Sequence, residues 1–273
     1  MVLETKENEE DFFLLLTKIY ENTGYDFREY KDVTLKRRLS YRLQATGTNT
    51  YRDYIEYLEH HPQEYSVLLS TLTINVSKFF RDKEAWNIVR EKILPDLLDR
   101  NASVGTLSIW SVACARGEEP YSLAILLHEI LEGKEKKFRI NIYGTDIDEA
   151  SLLQARQGVY NENELEEVEP EMREKYFEKL EKNKYRVKEF IRNRVKFLRH
   201  SIIDGEEFGG FDLIACRNLL IYFNRPLQEK IYLRLFNALK PGGYLWLGRA
   251  EMPVGEASRL FKVVYYRERV YRK

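Results

Sequence analysis

The stretch WSVACARGEEPYSLAILL, from Trp110 to Leu127, has the pattern of a buried strand that runs through a short loop into a helix. This pattern is typical of the junctions that hold nucleotides in parallel α/β folds. The loop has one glycine, Gly117, where a dinucleotide-binding loop has three, and Arg116 stands directly before it. The stretch therefore predicts an α/β fold and makes a nicotinamide-dependent oxidoreductase the least favoured class of enzyme.

The chain after Leu107 repeats this alternation of strand and helix. The strand candidates are LSIWSVA (107–113), RINIYGTD (139–146) and FDLIACR (211–217), with helices predicted at about 119–131, 149–157 and 226–239. Such alternation indicates a parallel, Rossmann-like sheet with crossover helices. We expect the last two strands, Tyr244–Gly248 and Phe261–Glu268, to pair antiparallel at an edge. An insertion at about 159–197, rich in Glu and Lys, contains the candidate strands YRVKEF (185–190) and RVKFLRH (194–200).

The first 72 residues read as a small all-α domain. Helices are predicted at 11–21, at 33–45, from Thr50 to before Pro62, and from Pro62 to about Leu72. The second helix has an apolar stripe of Leu35, Leu39 and Leu43, and Thr50 with Asp53 fits a reciprocal helix cap. The chain thus divides into a helical domain (1–72), a linker that includes a first cofactor-contact segment (73–95) and an α/β domain (96–273) that contains the insertion.

Composition and charge argue against several classes of protein. Lys and Arg together number 44, as do Asp and Glu, so the net charge is zero and general nucleic-acid binding has no support. The N-terminus is acidic, unlike a secretory signal, and no apolar run approaches the roughly 20 residues that a membrane span needs. Cys114 and Cys216 are expected to be buried thiols, and the four histidines lack metal-ligand spacing. We expect a cytosolic protein without a metal.

Polar residues follow three successive strands of the predicted sheet. They are Glu118 and Glu119 after the first strand, Asp146 and Asp148 after the second, and Arg217 and Asn218 after the third, in a segment that ends near Tyr222. Ligands of open α/β sheets bind at these strand ends, and a carboxylate after the second strand can accept hydrogen bonds from both hydroxyls of a ribose. Structural roles stay open: the glutamates can complement the helix dipole, the aspartates can cap a helix, Asn218 can be a loop amide and Tyr222 a core aromatic.

Four segments, in this order, resemble the chemotaxis receptor methyltransferases, the CheR family. They are TINVSKFFRD (73–82), GEEPYS (117–122), GTDID (144–148) and CRNLLIYF (216–223), and LKRRLSYRLQATG (35–47) and LKPGGYLWLGRAE (239–251) extend the match. The resemblance implies an enzyme that uses S-adenosylmethionine to methylate glutamates on the cytoplasmic helices of chemoreceptors. It also implies an all-α N-terminal domain, followed by a methyltransferase sheet with a small antiparallel β-subdomain inserted.

The resemblance further assigns cofactor contacts. They fall on Asn75, Ser77, Arg81, Glu119, Asp146 for the ribose, Ser201 and Ile202 near the adenine, and Arg217 with Asn218 below the methionine part. The catalytic candidates are Arg81, which would hold the incoming carboxylate, and Tyr222, which would line the methyl-transfer channel. A glutamate is already ionised at neutral pH, so this reaction needs no general base. Arg116 stands where a small hydroxyl residue is usual, and its side chain is expected to turn towards solvent or a neighbouring acid.

Receptor recognition is expected on the second predicted helix, which carries four basic residues and no acid. These residues, Lys36, Arg37, Arg38 and Arg42, fit either a solvated face or a surface for an acidic receptor bundle, and the resemblance favours the second. Family members that bind a receptor C-terminal pentapeptide tend to have a longer, glycine-containing loop in the insertion, whereas FEKLEKNKYRV (177–187) has no glycine.

The expected protein is therefore a monomeric, cytoplasmic enzyme at receptor arrays, with chemoreceptor cytoplasmic domains as partners. We expect it to bind no nucleic acid, to insert into no membrane and to need no peptide tether. The alternatives are a methyltransferase with another substrate, and a CheR-like signalling module whose methyltransferase activity is lost or altered.

Overall fold

The computed structural model describes residues 6–73, 77–133 and 138–273, with side chains from Asn8 onward. These residues fall into two compact units. The first contains the described chain up to Thr73 together with Tyr222–Leu227, and the second contains the rest. Each unit has a buried apolar core of its own.

The described N-terminal residues of the first unit form the helices α1 (Lys6–Thr23), α2 (Asp32–Thr46), α3 (Tyr51–His60) and α4 (Glu64–Leu72). Leu35, Leu39 and Leu43 are buried, which confirms the predicted stripe. The Thr50 hydroxyl accepts a hydrogen bond from the Asp53 N–H, and the Asp53 carboxylate accepts one from the Thr50 N–H, as the sequence predicts. Helix α4 begins two residues later than predicted because Pro62 and Gln63 form a turn.

A buried ion pair lies inside the helical unit. The Glu64 carboxylate, 7 % exposed, accepts hydrogen bonds from Arg42 Nε (2.8 Å) and from the Tyr54 hydroxyl (2.8 Å). Burial, followed by this carboxylate, raises the pKa of Tyr54. Removal of Arg42 would leave Glu64 buried without a cation, which is strongly destabilising. The side chain of Arg42 therefore stabilises the fold of the helical unit.

A short segment from far along the chain completes the helical unit. The Tyr222 carbonyl accepts a hydrogen bond from the Lys31 N–H (2.8 Å), and the Phe223 ring packs edge-on against Tyr30, with ring centroids 4.7 Å apart. The sequence pattern predicts that this segment belongs to the α/β domain. The structure instead groups Tyr222–Leu227 with the helices, because both backbone and ring contacts tie it to the chain between α1 and α2.

Much of the segment predicted as a linker, 73–95, belongs to the core of the second unit. Helix α5 (Lys83–Ile88) continues through a π-helical turn (Val89–Ile93) into α6 (Leu94–Arg100). The buried side chains of this helical stretch are Ala85, Trp86, Val89, Ile93, Leu94, Leu97 and Leu98. A π turn adds a residue to one turn, so it interrupts the 3.6-residue spacing by which a helix is recognised in a sequence.

The second unit is built on a seven-stranded mixed sheet and a small antiparallel sheet. The strands are β1 (Thr106–Val112), β2 (Arg139–Asp146), β3 (Val159–Asn161), β4 (Phe177–Lys179), β5 (Lys184–Val187), β6 (Val195–Arg199), β7 (Phe211–Cys216), β8 (Leu239–Leu247), β9 (Lys262–Tyr265) and β10 (Val270–Arg272). The remaining helices are α7 (Glu118–Leu131), α8 (Glu149–Gln157), α9 (Pro170–Tyr176), α10 (Glu189–Arg192), α11 (Arg225–Ala238) and α12 (Ala257–Leu260).

The large sheet has the strand order β6-β2-β1-β7-β8-β10-β9, and the small sheet has the order β3-β5-β4. In the large sheet β10 runs antiparallel to both of its neighbours, and the other neighbouring strands are parallel. The predicted Rossmann-like sheet with an inserted antiparallel β-subdomain is confirmed.

Two details of the strand prediction are wrong. The expected pairing of Tyr244–Gly248 with Phe261–Glu268 fails because a turn at residues 266–269 returns the chain and places β10 between β8 and β9. The strand RVKFLRH, expected within the insertion at 159–197, is β6 and pairs in parallel with β2 in the large sheet. Its Phe197 is buried in the large core, so the insertion ends before this strand.

Strands β1 and β7 lie where the strand order reverses. From β1 the sheet grows through β2 to β6 on one side, and the chain then crosses to β7 on the other side of β1. Ligands of such sheets bind outside the carboxyl ends of the strands at this reversal. The loops that follow β1, β2, β6 and β7 carry most of the candidate residues, so the fold places them at one end of the sheet.

Candidate cofactor and active site

The loop between β1 and α7 has a strained backbone. Ala113 and Ala115 adopt left-handed conformations, with φ of 51° and 49°, and so does Gly117, with φ of 90°. A Cβ atom at Gly117 would lie 2.8 Å from the Phe197 ring, so glycine is required on two grounds. Strain of this kind persists where the surrounding structure fixes the chain, as it does at many ligand sites.

Asp146 fastens this loop to the end of β2. Its Oδ2 accepts a hydrogen bond from the Ala115 N–H and its Oδ1 accepts one from the Asp148 N–H, both at 2.9 Å. Burial raises the pKa of the Asp146 carboxyl group to about 6, and the backbone hydrogen bonds oppose that shift. The helix cap is Asp148, which accepts from the Ala150 N–H. A carboxylate has about four acceptor positions, so Asp146 retains capacity for a ligand.

Glu119, in the first turn of α7, has partners at the ends of two strands. The Ser111 hydroxyl donates to Glu119 Oε1 (2.8 Å), and Arg217 Nη1 lies 3.4 Å from Oε2. Burial raises the pKa of Glu119, while Arg217, Ser111 and Arg81 act to lower it. The pair of Glu119 and Arg217 thus joins the end of β1 to the end of β7.

Arg217 is buried, with a side chain that is 3 % exposed. Its Nη2 donates to the Arg81 carbonyl (2.9 Å) and to the Asp82 carboxylate (2.7 Å), and its guanidinium lies 4.3 Å from the centroid of a Trp246 ring. Its Nε is buried and has no hydrogen-bond partner among the described residues. An unsatisfied buried donor of this kind suits an anionic group of a ligand.

Glu251 fixes the loop after β7, a role that the sequence does not predict. Its Oε2 accepts from the N–H groups of Asn218 (2.7 Å) and Gly248 (2.8 Å), and its Oε1 accepts from the Leu220 N–H (2.7 Å). Burial raises the pKa of Glu251, and these amides oppose the shift. Asn218 has a left-handed backbone (φ 60°), so Glu251 stabilises a strained loop. Its sequence context, GRAE, gives no indication of the three amides.

The loop after β6 carries Ser201 and Ile202. The His200 N–H donates to the Asp146 carbonyl (3.0 Å), which fixes the start of this loop beside the end of β2. The Ser201 hydroxyl accepts hydrogen bonds from the Ile203 N–H (3.3 Å) and the Asp204 N–H (3.4 Å), so it stabilises the turn. Ile202 is buried.

The segment TINVSKFFRD supplies further candidates. Asn75 lies outside the described residues. Ser77 is half-buried, and Arg81 is exposed, with its charge acting on the Glu119 carboxylate. The catalytic candidate Tyr222 is half-buried and belongs to the helical unit, whereas the described cofactor candidates belong to the second unit.

Arg116 pairs with acids, which confirms the expectation for its side chain. Its Nη2 lies 3.2 Å from Glu118 Oε1 and also contacts the Glu164 carboxylate. Glu118 and Glu164 are both buried.

The basic residues of α2 are engaged to different degrees. Arg42 belongs to the buried pair described above. Arg38 donates to a carbonyl of α4, and burial lowers its pKa. Lys36 is half-buried, with its Nζ 5.2 Å from the centroid of the Phe12 ring. Of the four, Arg37 is the exposed one, and the other three are half-buried.

Several other kinds of site find no support in the described part of the chain. There, no group of three or more His, Cys, Asp or Glu side chains is arranged to hold a metal ion, and no helix combines the length and hydropathy of a membrane span. Cys114 and Cys216 are buried and free, and burial raises the pKa of both thiols. A protonated, buried thiol is a poor nucleophile, so neither cysteine offers covalent catalysis.

The donor set at the strand ends fits S-adenosylmethionine. This cofactor carries ribose hydroxyls, an ammonium group and a carboxylate, and the site offers the carboxylates of Asp146 and Glu119 and the orphaned Nε of Arg217. With the reversed strand order, these groups define an S-adenosylmethionine-dependent methyltransferase.

Comparison with known proteins gives the family. The model "CheR methyltransferase, all-alpha domain" matches residues 10–73, and "CheR methyltransferase, SAM binding domain" matches residues 75–270. The chain is 35 % identical to a "Probable chemotaxis protein methyltransferase" of Rhizobium etli, over 89 % of this chain and 92 % of that protein. It is 32 % identical to a "Chemotaxis protein methyltransferase" of Borreliella burgdorferi, over 87 % of this chain and 86 % of that one. The chain belongs to the CheR methyltransferase family.

The raised pKa of Asp146 predicts a pH dependence of cofactor binding. Because folding raises this pKa from its ordinary value to about 6, the protonated form contributes stability that is lost as the pH rises through about 6. A ligand that donates hydrogen bonds to the carboxylate prefers the ionised form. We therefore expect the dissociation constant of S-adenosylmethionine, measured by calorimetry between pH 5 and 8, to rise about tenfold per pH unit below pH 6.

The matched variants for this measurement are Asp146→Asn and Asp148→Asn. The first should bind weakly with a flattened pH profile. The second keeps its helix cap and should bind normally near pH 8, with the loss of affinity moved to lower pH because the Asp148 charge helps to raise the pKa of Asp146. An unchanged pH profile in Asp146→Asn would contradict the assignment.

Proposed function

We propose that this protein transfers the methyl group of S-adenosylmethionine to glutamate side chains on the cytoplasmic helices of chemoreceptors, giving glutamate methyl esters for chemotactic adaptation. The observation that carries the proposal is that both family domains, in order, match nearly the whole chain. The relatives are named for chemotaxis, and an acidic receptor segment is the partner whose charge complements Arg37. In this proposal the enzyme acts as a monomer in the cytoplasm, at receptor arrays.

The proposed cofactor contacts are those that the family resemblance implies, and the charges of the described residues support them. Glu119 is assigned to the ammonium group, Asp146 to the ribose hydroxyls, and Arg217 with Asn218 to the methionine part. Ser201 and Ile202 are assigned to the adenine, with the backbone of Ser201 as the polar contact because its hydroxyl stabilises the turn. Asn75 and Ser77 complete the set on the segment before Arg81.

The chemistry requires positioning and desolvation more than proton transfer. S-adenosylmethionine supplies an activated methyl group on a sulfonium, and a glutamate carboxylate is already ionised at neutral pH. Arg81 is assigned to the incoming carboxylate because its side chain is exposed and because its positive charge acts to lower the pKa of Glu119, which indicates that it lies near the cofactor candidates. Tyr222, four residues after Asn218, is assigned to the methyl-transfer channel. Burial of the surrounding groups strengthens these electrostatic contacts.

The decisive experiment is incubation with labelled S-adenosylmethionine and a receptor cytoplasmic fragment. We expect label on the fragment that is released by mild base, as for an ester, and that is absent when the acceptor glutamates are changed to glutamine. Arg81→Ala and Tyr222→Phe should each lower turnover at saturating cofactor by about tenfold or more. Cofactor binding without any methyl transfer would favour the alternative of a signalling module without turnover.

The receptor surface is assigned to one face of α2. Val33, Arg37 and Tyr41 are spaced four residues apart, so they share this face, and the apolar pair is 82 % and 61 % exposed. Tyrosine and arginine, as at Tyr41 and Arg37, are enriched among the residues that contribute most to binding at protein interfaces. An acidic helix of the receptor bundle is the occupant that matches this charge.

This assignment predicts the effect of a charge reversal at Arg37. Arg37→Glu should lower kcat/KM for the receptor fragment by about tenfold and reduce its dependence on salt, while affinity for S-adenosylmethionine is unchanged. The matched control is Arg52→Glu, which reverses an exposed arginine on α3 of the same unit and should have little effect. Equal losses in both variants would contradict the assignment.

Independence from a receptor peptide tether is a further part of the proposal. The connection between β4 and β5 is four residues long, and Lys182 and Asn183 turn it with left-handed backbones (φ 59° and 57°) in the absence of glycine. The Leu180 N–H donates to the Lys184 carbonyl (2.8 Å) and closes this turn. A loop this short presents little surface for a peptide.

Calorimetry with a receptor C-terminal pentapeptide should therefore detect no binding at micromolar concentrations. Removal of the pentapeptide from a receptor should leave its methylation rate unchanged. Saturable binding of the pentapeptide would contradict this part of the proposal and leave the rest of it standing.

A further inference from the structure

The Glu118 carboxylate is an unusual group for the start of a helix. Its side chain is completely buried, and its Oε2 has no hydrogen-bond partner among the described residues. The neighbouring cation is Arg116, with Nη2 at 3.2 Å from Oε1. Burial raises the pKa of Glu118 to about 7 and Arg116 opposes this shift, so the side chain of Arg116 stabilises the ionised carboxylate.

The same guanidinium also pairs with Glu164, which lies in the inserted region. Glu164 belongs to a 3-10 helix (Glu162–Leu165) directly after β3, and its Oε2 accepts from the Asn161 N–H (2.7 Å). In addition, the Tyr160 hydroxyl of β3 donates to the Arg116 carbonyl (2.5 Å). Both the side chain and the backbone of Arg116 are thus attached to residues 160–164.

Residues 160–164 also contact the segment that carries Ser77 and Arg81. The Phe79 N–H donates to the Glu164 carbonyl (3.2 Å), and the Phe79 ring packs edge-on against Tyr160, with centroids 4.8 Å apart. Phe79 lies between Ser77 and Arg81 in the chain. One short segment of the insertion is therefore in contact with the loop that leads to Glu119 and with the segment that carries Arg81.

We propose that Arg116 is a positioning residue for the cofactor: by bridging Glu118 and Glu164 it fixes the loop before Glu119 relative to the segment that carries Ser77 and Arg81. The inference rests on the proposed assignment of Glu119 and Arg81 to the cofactor site. The geometry gives the bridge a role beyond neutralising buried acids, because its two carboxylates lie on different elements, one at the start of α7 and one after β3.

The test separates positioning from simple charge neutralisation. Arg116→Met removes the cation and leaves two buried acids, so its melting temperature should fall and its dissociation constant for S-adenosylmethionine should rise about tenfold, equivalent to about 1.4 kcal/mol. The triple variant Arg116→Met, Glu118→Gln, Glu164→Gln has no uncompensated charge at this place. It should recover most of the melting temperature but keep the weakened binding.

A KM-against-kcat split gives a second readout. The KM of Arg116→Met for S-adenosylmethionine should rise about tenfold, and its turnover at saturating cofactor should fall by less than that of Arg81→Ala, because Arg81 is displaced and not removed. The matched control is Arg186→Met. It breaks an exposed ion pair between Arg186 of β5 and Glu178 of β4 (3.1 Å), and it should leave cofactor binding unchanged.

The proposal is overturned if the triple variant recovers both stability and affinity, or if Arg116→Met is less stable but binds the cofactor normally. In either case Arg116 only neutralises buried acids. Cofactor binding is measured without a receptor, so a wrong assignment of the receptor or of the acceptor glutamates would show in the methylation assay and not in this one.

Discussion

The candidate site depends on the ion pairs that the buried guanidinium of Arg217 forms. It pairs with the carboxylates of Glu119 and Asp82 and lies over a ring of Trp246. Removal of a buried, paired charge leaves its partners uncompensated, so these groups stay in place only as a set. A rigid set of opposite charges can bind a zwitterionic amino-acid group without rearrangement, which keeps the entropic cost of binding low.

Much of this arrangement follows from the sequence because it is local. Apolar periodicity gives the helices of the first unit, and the reciprocal cap at Thr50 needs only residues three positions apart. The alternation of strand and helix after Leu107 gives the parallel sheet, and polar residues after successive strands meet at one end by the geometry of such a sheet. The position of Asp146 is therefore foreseeable from the sequence.

The remaining features depend on partners that are distant in the chain. Glu251 reads as an ordinary acid until its three backbone amides are known, and Arg42 reads as a surface charge until Glu64 is placed beside it. A short strand such as β10 carries no signal that places it between β8 and β9. Local patterns predict which elements form, but contacts between distant residues decide which charges are available to a ligand.

The return of Tyr222–Leu227 to the helical unit has a consequence for the evolution and engineering of these enzymes. A recombination point near residue 74 would divide the chain at the boundary of the two family domains, yet it would separate Tyr30 from its natural partner Phe223. A chimera that exchanges only the N-terminal helices would join a foreign surface to the native segment. The helical unit is thus discontinuous in the chain, and a chimera keeps the Tyr30–Phe223 contact of one parent only when both pieces come from that parent.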